Sequence, residues 1–99
     1  MSILRRDMNI PVGQVFEDKK GVEWLIYRRA QNTEEIILSV VTIKEPRRYV
    51  LDLSSEILVK KLFKNEIKLT RMIQADCSIK NTSKHLIFEF THYKLKEEL

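Results

Sequence analysis

The sequence predicts a mainly β domain: a small, strongly bent sheet with one short helix, in the chain order β-β-β-β-α-β-β. Three observations carry this. Most apolar residues fall in strand-length segments whose side chains alternate with period two. Only one segment, near the middle, repeats its apolar residues at helical spacing. The two glycines and two prolines leave no room for a flexible linker. With 99 residues there is material for one hydrophobic core, so residues 1–99 read as a single domain.

Val12 to Glu17 reads as the first strand. Asp18-Lys19-Lys20-Gly21 follows as a turn, because aspartate can open it and Gly21 can take positive φ. Val22 to Arg28 then places Val22, Trp24 and Ile26 on one face and Leu25 and Tyr27 on the other. Apolar groups on both faces mark a central strand. Asn32 to Glu35 separates it from Ile36–Ile43, a β-branched run of the same doubly apolar kind. Lys44-Glu45-Pro46-Arg47 is the next turn, since Pro46 cannot donate to a ladder. Tyr49, Leu51 and Leu53 alternate inward on a fourth strand.

At Ser54 the pattern changes. A capping hydroxyl and the Glu56 carboxylate precede Ile57–Lys64, where Leu58 and Leu62, and Val59 and Phe63, are four apart. Lys60, Lys61 and Lys64 crowd the last turns, where the helix dipole favours cations, and Asn65 is a left-handed stop. Strand period returns at Glu66 and is read as one strand through Met72-Ile73 toward Ile79. Lys80 to Ser83 is a turn, and Lys84 to Tyr93 a last strand with Leu86, Phe88 and Phe90 on one face. The charged Lys94–Leu99 end is expected to fray. Trp24, Ile26, Ile37, Leu38, Leu51, Leu53, Leu58, Leu62, Leu69 and Phe88 form the expected core. Hairpins followed by a plugging helix and closing strands suit a barrel of the SH3-like or PUA-like shape.

The longest apolar run is strand-sized, and no apolar signal core follows Arg5-Arg6. The single cysteine, Cys77, cannot form an internal disulfide, and a cytoplasmic location is expected. Eighteen Lys and Arg against fourteen Asp and Glu give a net charge of +4 and a basic chain. The cations concentrate in two places. Lys60, Lys61, Lys64, Lys68 and Arg71 lie within twelve residues, and on a helix leading into a strand several could track a phosphate backbone. The bland alternative is a solvated helix face. Arg28-Arg29 and Arg47-Arg48 flank a hairpin-sized segment. If those strand ends meet beside Tyr27 and Tyr49, they build a basic rim with aromatic interleaving; otherwise they are ordinary strand-end solubility.

Enzyme chemistry is not expected. No glycine pattern surrounds any serine, and the acidic pairs Glu17-Asp18, Glu34-Glu35 and Glu97-Glu98 fall in turns or at the end. Cys77 near His85 across a hairpin is the one nucleophile–base geometry to check. His85 and His92 are seven apart on one strand and so face opposite ways, which argues against a shared metal, and no cofactor is expected. The first expectation is a nucleic-acid-associated accessory or regulatory module binding through phosphates, at Lys60, Lys61, Lys64, Lys68, Arg71, Arg28, Arg47, Arg48 and Tyr27. The alternative is a protein-interaction module, an adaptor or inhibitor of a larger complex, using an exposed strand edge. In style the chain suits a phage or mobile element.

Overall fold

The computed structural model describes residues 10–44, 49–82 and 85–93. Its elements are β1 (Gln14–Asp18), β2 (Glu23–Gln31), β3 (Ile36–Thr42), β4 (Val50–Ser54), α1 (Ser55–Phe63), β5 (Ile67–Met72), β6 (Ala75–Thr82) and β7 (His85–Tyr93). The domain is mainly β, as its alternation predicts, and every strand pairing is antiparallel.

β2 organises the sheet. On one side it pairs with β3 from Trp24 to Gln31. On the other it pairs first with β1, at Glu23–Leu25, and then with β7, at Arg28–Gln31. β5 borders β1 and β6 borders β7, so β5 and β6 follow one another along the far side. The single strand expected from Glu66 toward Ile79 is therefore two, because the chain changes partner at Ile73-Gln74. Ile73 donates its amide to Gly13 O at 2.8 Å and is only 4% exposed, while Gly13 N donates to Ile26 O at 2.8 Å. Gly13, at φ 102°, joins β2 to the β5–β6 junction in a conformation that side chains rarely adopt. Among the described residues β4 on one side and β5 and β6 on the other have no outer partner, so the sheet is not closed into a barrel.

The turns follow their local chemistry. Asp18 Oδ1 accepts from the Lys20 and Val22 amides at 2.9 and 3.0 Å, and Gly21, at φ 84°, donates to Asp18 O. Asn32 Oδ1 accepts from the Glu34 and Glu35 amides, both at 2.8 Å, and tightens the β2–β3 turn. Ser54 Oγ caps α1 by accepting from Ile57 N at 3.1 Å. Asn65, at φ 61°, ends it: Glu66 N reaches Lys61 O and Asn65 N reaches Leu62 O, the paired bonds of a left-handed helix stop. The turn expected at Lys80–Ser83 starts later, since Lys80, Asn81 and Thr82 still pair with Ile87, Leu86 and His85. Residues 45–48, 83–84 and 94–99, where the proline turn, the tip of the last hairpin and the charged end were expected, lie outside the described residues, as does Arg5-Arg6.

Both sheet faces are apolar. Phe16, Ile26, Leu38 and Val40 form one cluster with Leu58 and Val59 of α1, and Trp24, Leu53 and Leu62 pack against it half-buried. Val15, Leu25, Val41, Ile43 and Ile73 form a second cluster on the opposite face, with Tyr27 against it. Of the ten expected core residues, Ile26, Leu38 and Leu58 are buried, Trp24, Ile37, Leu53, Leu62 and Phe88 are half-buried, and two are exposed. Leu51 is 48% and Leu69 37% exposed, although register places both on the helix-bearing face, opposite Val40 and Phe16. They point inward on edge strands where α1 does not cover them. Tyr49 and Phe63 are likewise exposed.

Candidate functional site

The cations that sit close in sequence separate in space. α1 packs on the Leu38–Val40 face, and Lys60 and Lys64 are exposed there without an ion pair among the described residues. Lys61 is half-buried and reaches Glu66 Oε1 at 3.5 Å. Lys68 and Arg71 belong to the other face, because β5 carries an irregularity that leaves Phe16 opposite Leu69 but Val15 opposite Arg71. There Lys68 pairs with Glu17 at 3.6 Å, and Arg71 pairs with Glu23. Three of the five cations thus face a carboxylate, two of them from strands some fifty residues away in sequence.

Arg28 and Tyr27 also occupy the face away from the helix. The β2–β3 register skips Tyr27, so Arg28 sits opposite Ser39 rather than on the Ile26 side. It is half-buried, its Nε is enclosed, and that atom meets no hydrogen-bond acceptor among the described residues. Arg28 does not end its strand either: β2 runs on to Gln31, and Arg28 and Arg29 lie opposite Ser39 and Leu38. β4 begins at Val50 opposite Val41, toward the Trp24 end of β2. The expected meeting of strand ends is therefore absent at Arg28, and Arg29 instead stacks over the Phe88 ring at 5.8 Å. Arg47 and Arg48 lie outside the described residues.

The last hairpin separates the remaining chemical candidates. Cys77 pairs with Phe90 while His85 pairs with Thr82, so the thiol residue and the histidine sit at opposite ends of the ladder. The same ladder carries an extra residue between Phe90 and His92, and the two histidines lie toward opposite ends of β7. Their separation along the strand, roughly 20 Å, still forbids a common ligand. Among the described residues no group of three or more His, Cys, Asp or Glu converges.

What the described residues do build is a groove of about 430 Å³ beside α1. Phe16, Trp24 and Val40 of the sheet, Leu51 and Leu53 of β4, Leu58 of α1 and Ile67 of β5 make it apolar. Lys19, Lys20 and Lys61 stand at its border with Asp18 and Glu66. Trp24, expected in the core, is only half-buried, since its ring forms part of this groove while its Nε1 donates to Asp18 Oδ2 at 3.1 Å. Burial by itself raises the Asp18 pKa. The hydrogen bonds from Val22, Trp24 and Lys20, with the nearby Lys20 charge, together outweigh it and hold the carboxyl below its usual 3.8. Asp18 is thus an ionised anchor for the turn. Beside the groove, Leu51 of β4 is 48% exposed and Tyr49, just before the strand, 56%, while Val50, at 55%, lies opposite Val41 on the other face; among the described residues β4 has no partner on its outer side.

The sequence contained the groove's residues but not its opening, because alternation shows which face a side chain takes and not whether anything covers it. In comparisons with known proteins, the chain matches no family model, no curated protein and no solved structure.

Proposed function

We propose that this domain is a non-enzymatic protein-interaction module whose contact surface is the free β4 edge and the groove beside it. One observation carries the reading: Leu51, 48% exposed on the outer strand β4, lines an apolar groove together with the half-buried Trp24 and Leu53. Exposed apolar surface concentrated in this way marks a binding site, whereas scattered apolar residues do not. The lone cysteine suits work in a reducing compartment such as the cytoplasm.

Capture experiments on extracts of the cells that express the protein test this reading. A partner retained by the wild type should be lost on Leu51→Glu, while the melting temperature stays nearly unchanged. A partner set identical for both proteins counts against it.

Nucleic-acid binding keeps a second, smaller footing in Lys60 and Lys64, which are exposed and unpaired among the described residues on a chain of net charge +4. Against it stand the carboxylate partners of Lys61, Lys68 and Arg71 and the placement of Arg28 and Tyr27 on the other face. Elution from immobilised heparin or DNA decides. Phosphate binding predicts a steep salt slope that Lys60→Ala, Lys61→Ala, Lys64→Ala together flatten. The interaction-module reading predicts no retention above that of any basic domain of this size.

A further inference from the structure

We propose that the groove takes an extended segment of a partner protein that pairs with the β4 edge, its apolar side chains alternating with carboxylates. The proposal rests on the interaction-module reading and names the partner's chemistry. The backbone supplies the first reason. Thr42 N donates to Tyr49 O, so in an antiparallel ladder the amides of Tyr49, Leu51 and Leu53 turn toward β3 and those of Val50 and Asp52 turn outward. β4 therefore offers a ready ladder to an added strand.

The room beside it supplies the second. Leu51 and Leu53 of β4 and Ile67 of β5 line one groove, so the two free edges border the same space. Yet no Cα of β4 comes within 8 Å of one of β5. A strand seated between two edges needs two sheet spacings, roughly 9–10 Å. Side chains on alternate residues of that strand would rest on Trp24, Leu51 and Leu53.

Charge supplies the third. Lys19 and Lys20 are exposed at the groove border and make no ion pair among the described residues. Asp18 has both oxygens engaged by the turn and Trp24, and Glu66 faces Lys61. With Lys20 near the ionised Asp18, the three lysines Lys19, Lys20 and Lys61 still outnumber the two acids Asp18 and Glu66 at the border, so the surplus charge is positive and calls for carboxylates. A second copy of the chain, itself at +4, is the poorer occupant.

Trp24, the one tryptophan, is a built-in reporter. The probes are a short end-blocked peptide alternating valine with glutamate and its valine–lysine counterpart. The glutamate peptide should shift Trp24 emission saturably and bind about tenfold or more tighter than the lysine peptide. Lys19→Glu with Lys20→Glu should reverse that preference. Val50→Pro removes one outward amide and should weaken binding by a similar factor, leaving the Lys19 and Lys20 contribution in place. If Val50→Pro unfolds the protein, the charge-reversal pair still decides. Equal binding of both peptides, or no response to either, overturns the proposal. If Leu51→Glu still abolishes partner capture in that case, the interaction-module reading survives and only the acidic extended segment is rejected. Self-association that Val50→Pro abolishes, without peptide binding, also overturns it in favour of a second copy.

Discussion

β3 and β4 are neighbours in the sheet and carry similar alternation, yet their inward residues meet different fates. Leu38 and Val40 are fully buried, while their cross-strand partners Leu53 and Leu51 are half-buried and 48% exposed. Face is set by period and register, both local. Coverage is set by what lies above, and α1 covers β3 with Leu58 and Val59 but leaves the outer part of β4 open. The same pattern therefore makes core in one strand and contact surface in the next.

The largest test of that contrast is truncation on the covered side. Leu58→Ala removes a fully buried plug and should cost about 2–5 kcal/mol of unfolding free energy in urea. Leu51→Ala should cost below about 1 kcal/mol, because half of its side chain is already in water. Equal losses would mean that the groove is closed in solution. Next in size is the cap that holds α1 in place: Ser54→Ala leaves the Ile57 amide without its acceptor and should cost about 1 kcal/mol, read as a lower melting temperature.

The smallest expected effect concerns the groove's rim. Asp18 has a folded-state pKa below its unfolded value of 3.8, so its contribution to stability is present above that value and is lost as pH falls through the folded pKa. Acid titration should change Trp24 fluorescence in that range, below about pH 4. Asp18→Asn should remove this step while leaving any general acid unfolding. A transition that persists in Asp18→Asn would place the titrating group elsewhere.

Much of this architecture was legible in the sequence because it depends on near neighbours. The Asp18–Gly21 turn, the Ser54 cap, the Asn65 stop and the doubly apolar β2 each follow from a few adjacent residues. The rest depends on pairings between distant segments. A skipped residue at Tyr27 moves Arg28 to the other face, and the irregularity in β5 separates Arg71 from Leu69. Neither has a glycine or proline to announce it. The carboxylate partners Glu17 and Glu23 meet Lys68 and Arg71 only through strand pairing, so a cationic run in sequence became pairs across a sheet.

The shared flank of β2 carries a consequence for assembly. β1 completes one half of that flank from residues adjoining β2 in the chain, but the other half waits for Leu86–Glu89. During synthesis from the N-terminus, Arg28–Gln31 must remain an open template until Leu86–Glu89 have emerged. The four residue pairs that β7 makes there act as a late guard on an edge that would otherwise invite strands from other nascent chains. Chains truncated before β7 should therefore aggregate even when every residue of the helix-side cluster is present.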